Sequence, residues 1–466
     1  MSRSLELRFA AILVASVLFH PPLSAQDPDF DSARDEAVEI LRGMIRVNTS
    51  SPPGNETAAA EYIRDILARE GIESRIYEGA PGRGNLVARL KGNGSKRPIL
   101  LMGHIDVVGV EDDKWSVDAF EAVVKDGYVW GRGAQDDKGM TSVALQVFLM
   151  LHRSGIELDR DVIFMANAGE EGNPQVGVEY MIAEHFDEID AEFALNEGGG
   201  MSEVNGRMVV SVATTEKVGS GMTLIARGTS GHGSRPRPDN PVVHLAAAVA
   251  KFGEWQPPMR LNATTREYFS RMADVVDPEL ADLYRNLENP ERTEEVQERL
   301  RHVDITANST IRTSISPNII EGGFRSNVIP GEASARLDIR ALPDEDITEL
   351  MQAMAALIDD PAVEIVPPGR RRPVNPPMPM DSELFRALET AQAEVFPGGL
   401  TVPTMLTGAT DSAQLRAAGV LTYGLGVVRG DEGSLAHGND ERVSIEGVGR
   451  FVEYLYGVVT EVAAAR

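Results

Sequence analysis

The sequence contains no cysteine in its 466 residues. Disulfide bonds, thiolate metal ligands and cysteine nucleophiles are therefore excluded, and any zinc would have to be held by histidine and carboxylate side chains. Beyond the N-terminal region, no apolar run has the length of a transmembrane helix.

Positive charge is also scarce. Lys and Arg number 45 against 71 Asp and Glu, which gives a net charge of −26. A surface this acidic repels the phosphates of nucleic acids and the head groups of anionic membranes, so neither is expected as a partner. The composition is otherwise typical of a globular protein, with 42% hydrophobic and 25% charged residues. A chain of this length exceeds a single hydrophobic core, which predicts two domains.

The N-terminus has the pattern of an export signal. Arg3 and Arg8 flank the start of an apolar core over residues 9–19, which is too short to span a bilayer. Two prolines then break the run, and the small residue Ala25 suits cleavage before Gln26. We therefore expect residues 1–25 to be a signal peptide and the protein to be periplasmic or secreted, with an uncleaved anchor as the alternative.

The most informative stretch is ILLMGHIDVV, residues 99–108, an apolar run that contains one His and one Asp. Continuous apolar flanks predict a strand buried on both faces of a parallel sheet. Side chains alternate along a strand, so His104 and Asp106 point the same way. Burying both costs free energy unless each is bonded. A divalent metal held by the imidazole satisfies this requirement, and so does a structural hydrogen-bonded pair.

Acidic residues recur where other predicted strands end. Glu170 and Glu171 follow a predicted strand over residues 161–166, and Glu197 follows another over residues 191–195. Open α/β folds place their sites at the carboxyl ends of parallel strands. We therefore expect these carboxylates to lie near His104.

Two further segments bring chemically useful side chains. Asp136 and Asp137 lie just before a predicted helix over residues 140–153, where the helix dipole favours negative charge. An N-capping role accounts for one aspartate and leaves the other unexplained. His437 lies in a polar loop ahead of the last predicted helix, residues 445–458.

Together these side chains suffice for a centre of two divalent metals. A pair of zinc ions about 3.5–4 Å apart needs a bridging carboxylate, with one imidazole and one further carboxylate on each ion. The available donors are His104, Asp136, Glu171, Glu197 and His437. Glu170 is left over, and it is then free to take a proton from water whose pKa the metal lowers.

The order of the predicted elements divides the chain into two domains. The segment after residue 217 has the order β-α-β-β-α-β, typical of a small α+β domain, although a polar stretch with helical pieces interrupts it at residues 255–306. We therefore predict an α/β fold, a mostly parallel mixed sheet flanked by helices, with an inserted α+β domain of ferredoxin-like type. The bounds are 26–215 and 372–466 for the first domain and 216–371 for the inserted one.

Four motifs in this order resemble those of the dinuclear zinc amidohydrolases. They are GHIDVV at 103–108, GRGAQDDKG at 131–139, GEEG at 169–172 and NEG at 196–198. The family contains aminoacylase, acetylornithine deacetylase, succinyl-diaminopimelate desuccinylase and the glutamate- and yeast vacuolar-type carboxypeptidases. The resemblance extends from about residue 35 to the C-terminus. It implies two Zn²⁺ per subunit, with Co²⁺ or Mn²⁺ as substitutes.

The resemblance also assigns roles. Two sets of metal ligands would share one aspartate: His104, Asp136 and Glu197 for one ion, and Asp136, Glu171 and His437 for the other. Asp106 would orient His104. Glu170 would be the general base and later the proton donor to the leaving amine. Asp137 matches no ligand position and is interpreted as part of the helix start.

The inserted domain resembles the family's lid, which commonly mediates dimerisation, so the resemblance allows a homodimer through this domain. His232 would stabilise the oxyanion, often in the partner's site, and such a donor typically contributes ~2.7–4 kcal/mol to lowering the barrier. Asn327 and Arg340 would contact the substrate carboxylate, because the guanidinium fork bonds both oxygens. Gly408 and Thr410 would lend backbone contacts.

Three functions remain open from the sequence. The leading interpretation is an exported carboxypeptidase or dipeptidase that cleaves a peptide or amide bond next to a free carboxylate. The second is an N-acyl-amino-acid deacylase, since Glu197 resembles the ligand of both branches. The third, of a different class, is a catalytically silent binding protein on the same fold. In the first two cases the substrate is a small peptide or N-acyl amino acid.

Overall fold

A computed structural model of the chain describes residues 28–369, 371–430 and 433–465. The expected signal peptide, residues 1–25, lies outside the described residues. Within the described part of the chain, no helix combines the length and hydropathy that crossing a membrane requires.

The helices in the described residues begin and end as follows: α1 Phe30–Arg46, α2 Glu56–Arg69, α3 Lys138–Ser154, α4 Val178–Glu184, α5 Phe186–Ile189, α6 Pro241–Glu254, α7 Ala263–Met272, α8 Pro278–Arg285, α9 Thr293–Val303, α10 Ile305–Thr310, α11 Ile347–Ile358, α12 Glu383–Val395, α13 Ser412–Ala417 and α14 Ile445–Ala463. A single 3₁₀ turn covers Asp112–Lys114. Capping side chains fix several starts: Asp29, Ser382 and Ser444 each accept a hydrogen bond from a first-turn N–H.

The strands are β1 Ser74–Ala80, β2 Arg83–Leu90, β3 Ile99–His104, β4 Val123–Lys125, β5 Tyr128–Trp130, β6 Val162–Asn167, β7 Phe193–Glu197, β8 Gly200–Val204, β9 Arg207–Glu216, β10 Val218–Gly219, β11 Met222–Arg227, β12 Gly231–His232, β13 Ser314–Gly322, β14 Val328–Ile329, β15 Glu332–Ala341, β16 Val363–Val366, β17 Leu400–Leu406, β18 Leu421–Leu425 and β19 Arg442–Ser444.

A large mixed sheet forms the centre of the molecule. Its strand order is β1-β2-β6-β3-β7-β18-β9-β17, with β8 paired on β9. The middle strands β3, β6, β7 and β18 run parallel to their neighbours in this group, whereas β2 and β9 join antiparallel on either side. As predicted, β3 is buried along its whole length. The predicted α/β class is confirmed.

Helices cover both faces of this sheet. Helices α1, α3, α12 and α14 pack together on one face, and α4 and α13 cover part of the other. Helix α3 is buried on nearly all sides because it lies against the sheet, α1 and α14. Each fully buried Leu or Phe of this layer contributes about 1.5–3 kcal/mol relative to an exposed position. The layer therefore fixes the start of α3 rigidly, and that start carries Asp136 and Asp137.

The inserted domain has its own antiparallel sheet, ordered β10-β15-β11-β16 with β13 also paired on β15. Helices α6 and α11 pack on one face of it around Leu245, Leu337 and Met354. A two-stranded ribbon, β12 with β14, extends from this domain. The predicted order of strands and helices is therefore present.

Four helices of the interrupting segment pack on the large sheet. Phe269, Leu283 and Leu300 of this segment form a core with Val209 of β9 and Val402 of β17. Strand β17 lies at the end of the sheet order, and α7 packs against it. The segment thereby covers a sheet edge that would otherwise expose unpaired backbone groups.

The sequence patterns above did not predict β9 or β17. Strand β17 contains Pro403, which lowers the expectation of a strand. It is tolerated here because β17 is an edge strand that pairs with β9 on one side only. The partner strands lie far apart in the chain, so no local pattern reports their pairing.

Candidate metal centre

The carboxyl ends of three parallel strands meet at one edge of the large sheet. His104 ends β3, Glu197 ends β7, and the loop after β6 carries Glu170 and Glu171. The β3–β6 register places His104 opposite Asn167, the last residue of β6. The predicted convergence of these strand ends is therefore present in the structure.

Asp136 lies between the two histidines. Its Oδ1 is 3.0 Å from His104 Nε2, and its Oδ2 is 3.1 Å from His437 Nε2. Glu197 Oε1 lies 3.8 Å from His104 Nε2, and Glu171 Oε1 lies 3.1 Å from His437 Nε2. The five side chains form two adjacent sets that share one carboxylate, which is the arrangement that two bridged divalent ions require.

Asp106 contacts both His104 and the loop that carries Glu170 and Glu171. Its backbone oxygen lies 3.0 Å from His104 Nδ1, and its Oδ1 lies 3.5 Å from the same nitrogen. Its carboxylate also accepts the backbone N–H groups of Glu170 and Glu171, at 3.2 and 3.1 Å. Asp106 therefore contacts His104 and anchors the glutamate loop; its role in orienting His104 stays a prediction.

Glu441 holds the loop that carries Asp136. This buried carboxylate accepts the backbone N–H groups of Gly133, Gln135 and Asp136 at 2.7–3.0 Å. It also receives the Arg132 guanidinium at 2.7 Å. Because Glu441 lies four residues after His437, it connects two of the three segments that carry the second set, those of Asp136 and His437.

Asp137 immediately precedes α3 at the N-cap position but makes no capping bond with its side chain. Its Oδ2 is buried without a hydrogen-bond partner among the described residues. Burial, reinforced by the neighbouring charges of Asp136 and Glu171, raises the pKa of Asp137 well above its usual value. Asp137 therefore lies at the helix start, as the sequence indicated, and its assignment as a residue other than a ligand stays a prediction.

Charge in the cluster is unbalanced. Burial, together with the charge of Glu170, raises the pKa of Glu197 well above its usual value, and burial does the same for Glu170. Although burial opposes protonation, the carboxylates of Glu197, Asp106 and Asp136 raise the pKa of His104 well above its ordinary range. So many buried carboxylates around two imidazoles fit bound cations, and oxygen and nitrogen donors without sulfur suit zinc or a related divalent metal.

The cluster lines a cavity of about 630 Å³. Glu170 faces this cavity beside His104 and Glu197, with which it forms a group whose ligand atoms all lie within 4.8 Å of one another. Glu170 Oε1 also lies 3.7 Å from Nη2 of Arg372. Glu170 is thus placed beside both the ligands and an open space for substrate.

The structure separates the predicted substrate-binding residues into two groups. Arg340 and Gly408 line the cavity, and Thr410 lines a smaller one beside it. His232 and Asn327 lie together on the inserted domain, where Gly233 N–H donates to the Asn327 carbonyl at 2.8 Å. Both are exposed, and neither lines the cavity at the metal cluster.

Several residues around the cavity were not predicted from the sequence. Arg371 and Arg372 line it, and Arg372 donates to the Thr410 carbonyl at 2.7 Å. The three consecutive arginines at 370–372, just before a proline-rich stretch, were a sequence signal that could have identified these two residues. Glu216 accepts bonds from the N–H and hydroxyl of Thr410 at 3.1 and 3.0 Å and so fixes the 408–410 loop. No local pattern marked Glu216.

The sequence profile described as Peptidase family M20/M25/M40 matches residues 100–461. The chain belongs to this family. Its M20 relatives include the N-fatty-acyl-amino acid synthase/hydrolase of Xenopus tropicalis, 27% identical over 91% of this chain and 85% of that protein. A probable carboxypeptidase S-like 2 of Dictyostelium discoideum is 29% identical over 80% of this chain and 74% of that protein.

Solved structures of M20 proteins share the fold. A metallo-carboxypeptidase from Sulfolobus solfataricus has a TM-score of 0.67 at 19% identity and covers 91% of this chain and 98% of its own. Human carnosine dipeptidase 1 has a TM-score of 0.64 at 19% identity, with 92% and 97% covered. A dinuclear metal-binding M20 peptidase of Bacillus subtilis has a TM-score of 0.58 at 16% identity, with 93% and 99% covered. The family membership and the ligand cluster together make this M20 protein a metal-dependent hydrolase.

Proposed function

We propose that this M20 protein hydrolyses a peptide or amide bond next to a free carboxylate, as a carboxypeptidase or dipeptidase. The observation that carries the proposal is one cavity whose wall holds both the metal-ligand cluster and three arginines, Arg340, Arg371 and Arg372. A guanidinium binds a carboxylate through two parallel N–H groups. A terminal carboxylate held by these arginines presents the adjacent carbonyl to the cluster.

The chain's own groups then have distinct tasks. Divalent cations held by this cluster would lower the pKa of water and polarise the substrate carbonyl. Glu170 takes a proton from water at its carboxylate and returns it to the leaving amine. Asp106 and Glu441 hold the loops that carry Glu170, Glu171 and Asp136, so that these groups need not reorganise during reaction.

A second candidate is the hydrolysis of N-acyl amino acids. It is favoured by the relative named as an N-fatty-acyl-amino acid synthase/hydrolase, which aligns with 91% of this chain. N-acyl amino acids and dipeptides both have a free carboxylate beside the scissile bond. Only the acyl half of the substrate therefore distinguishes the two activities.

A substrate panel with bound metal measured on the same sample tests the proposal. We expect hydrolysis of Gly-Leu or N-acetyl-leucine, and at least about tenfold slower hydrolysis of glycyl-leucinamide, which lacks the carboxylate. Arg340→Met should raise KM for Gly-Leu, whereas Arg336→Met, an exposed arginine on the same strand β15, should not. Metal-loaded protein without turnover on any substrate would instead support the catalytically silent binding protein.

We further propose zinc as the metal and a homodimer through the lid. Ile320 on the edge strand β13 is 59% exposed and Phe324 is 80% exposed, so this edge offers apolar surface for a second copy. In such a dimer, the exposed His232 and Asn327 of one copy could reach the cavity at the metal cluster of the other copy. Sedimentation should show a dimer that Ile320→Asp weakens and that the equally exposed Val303→Asp leaves intact. Elemental analysis of purified protein tests zinc.

Export remains a proposal that rests on residues 1–25 alone. Expression of the full chain in a bacterial host should give periplasmic protein that begins at Gln26, as read by N-terminal sequencing. Retention of the full-length chain in the membrane fraction would favour the uncleaved anchor instead.

A further inference from the structure

A second cavity adjoins the candidate metal cluster, and Arg340, Arg371 and Arg372 are not among its lining residues. Its volume is about 210 Å³, and Asp136, Glu197, Gly408 and Ala409 line both it and the first cavity. If the substrate carboxylate lies against Arg340 and the scissile carbonyl lies at the cluster, this second cavity is the space that remains for the acyl half. Its lining therefore decides which acyl groups fit.

A third cavity, of about 270 Å³, adjoins the second. Gly198, Gly199, Leu406 and Arg429 line both. The far wall of the third cavity comes from the helical segment that packs on β17, through α7 and α10. Seven of its thirteen lining residues carry hydroxyl groups: Ser211, Thr265, Tyr268, Thr306, Thr310, Thr404 and Thr407. A long hydrocarbon chain is better matched by an apolar lining.

Arg429 is the cation at the junction of these two cavities. Its backbone N–H donates to the Met201 carbonyl and its Nη2 donates to the Gly199 carbonyl, each at 2.7 Å. A Cβ at position 200 would lie 2.7 Å from Arg429 Cζ, so the absence of a side chain at Gly200 makes room for the guanidinium.

Arg429 has no carboxylate partner within the part of the chain that the structure describes. No ion pair involves it there, although most arginines near the sheet are paired, as Arg416 is with Glu216. Burial lowers the pKa of Arg429, against the opposing charge of Asp136. A largely buried guanidinium with several unused N–H groups beside a cavity is a ready site for an anion.

We propose that Arg429 binds a carboxylate on the acyl half of the substrate, so that the enzyme prefers acidic acyl groups such as N-terminal glutamyl or N-succinyl. The inference rests on the proposed function and specifies its substrate class. It also separates this protein from a relative named for fatty-acyl substrates. Arg429 acts here by binding substrate and takes no part in bond cleavage.

Matched substrates that differ only in charge test Arg429. The pairs are Glu-Leu with Gln-Leu and N-succinyl-leucine with N-succinamoyl-leucine, and N-dodecanoyl-leucine is the apolar competitor. We expect kcat/KM to favour the carboxylate member of each pair by about ten- to a hundredfold, the range of a charge-assisted hydrogen bond. Arg429→Met should bring each ratio near one, and Arg429→Lys should keep part of it. Arg64→Met, an exposed arginine on α2, should change nothing.

A binding measurement separates recognition from turnover. In a Glu170→Ala background, calorimetry should give a lower Kd for N-succinyl-leucine than for N-succinamoyl-leucine, and Arg429→Met should remove the difference. Equal ratios in wild type, unchanged ratios in Arg429→Met, or a preference for N-dodecanoyl-leucine would overturn the inference while leaving the proposed function in place. If wild type hydrolyses none of the substrates, the proposed function fails, and the calorimetric ratio still decides whether Arg429 binds the carboxylate.

Discussion

Glu170 and Glu171 are adjacent in the chain but face different partners. Glu171 Oε1 lies 3.1 Å from His437, within the second set of ligands, whereas Glu170 faces the cavity beside His104 and Glu197. Asp106 holds the backbone N–H groups of both residues. One anchored turn therefore carries both the proposed ligand and the proposed base.

Replacing the base alone should separate these two roles. Glu170→Ala should lower kcat by about 10²–10⁴-fold, the usual contribution of general acid–base catalysis, and leave metal content unchanged. Turnover assays and elemental analysis on the same preparation check this. Glu203→Ala, which removes an exposed carboxylate on β8, is the control. Full activity in Glu170→Ala would mean that another group takes the proton.

At the scale of one element, the loop before α3 has little regular structure of its own. Its backbone N–H groups at Gly133, Gln135 and Asp136 are paired with the single carboxylate of Glu441. Arg132 neutralises that carboxylate from the buried side. The orientation of Asp136 between the histidines therefore depends on a residue 305 positions away in the chain.

Glu441→Gln should weaken metal binding although Glu441 is not a ligand. An amide replaces one accepting oxygen with a donor and leaves Arg132 as a buried unpaired cation, so the loop loses its anchor. We expect metal affinity to fall by about 10–100-fold, as for other residues that orient ligands. Titration of metal-free protein with Zn²⁺ against a chelating indicator measures this. Glu446→Gln, an exposed position at the start of α14, should bind metal normally.

At the scale of the whole molecule, Lys217 joins three parts. It lies between β9 of the large sheet and β10 of the inserted domain's sheet. Its Nζ donates to the Ser309 carbonyl on α10 at 2.7 Å and to the Ser314 hydroxyl on β13 at 2.9 Å. Burial, with the nearby charges of Arg340 and Arg312, lowers the pKa of Lys217 from 10.5 to about 7.

This shift makes stability depend on pH. Between pH 7 and 10.5 the unfolded chain binds a proton at Lys217 that the folded chain does not. The free energy of unfolding therefore increases with pH in this range, by up to about 1.4 kcal/mol per pH unit. Below pH 7 this gain is absent. Urea denaturation at several pH values should show that Lys217→Met loses this component, whereas Lys114→Met, at an exposed position, keeps it. Parallel pH profiles of wild type and Lys217→Met would contradict the shift.

The candidate metal ligands could be selected from the sequence because most of them belong to a short local pattern. His104 and Asp106 interrupt a buried strand, and the glutamates follow strand ends, where the carboxyl edge of a parallel sheet collects side chains. Glu441 and Arg429 were not predictable in this way. Their functions depend on which loops meet in space, and neither residue differs locally from many other charged loop residues.

The fold divides in the same way. The sequence predicted the sheet, its central strand and the inserted α+β unit from apolar periodicity. It did not predict that the polar segment 255–306 would pack on the large sheet or that β17 would form its edge strand, because the partners in that packing and pairing lie about 60 to 190 residues apart in the chain.

By itself, then, the sequence determined the chemistry: histidines and carboxylates at strand ends, no sulfur ligands, and a family of metal-dependent hydrolases. Only the tertiary structure decided what surrounds that chemistry, namely three arginines in the wall of the first cavity and Arg429 where the second and third cavities adjoin. The physical reason is that ligand motifs are set by neighbours along the chain. The walls of a cavity come from segments that meet only after folding.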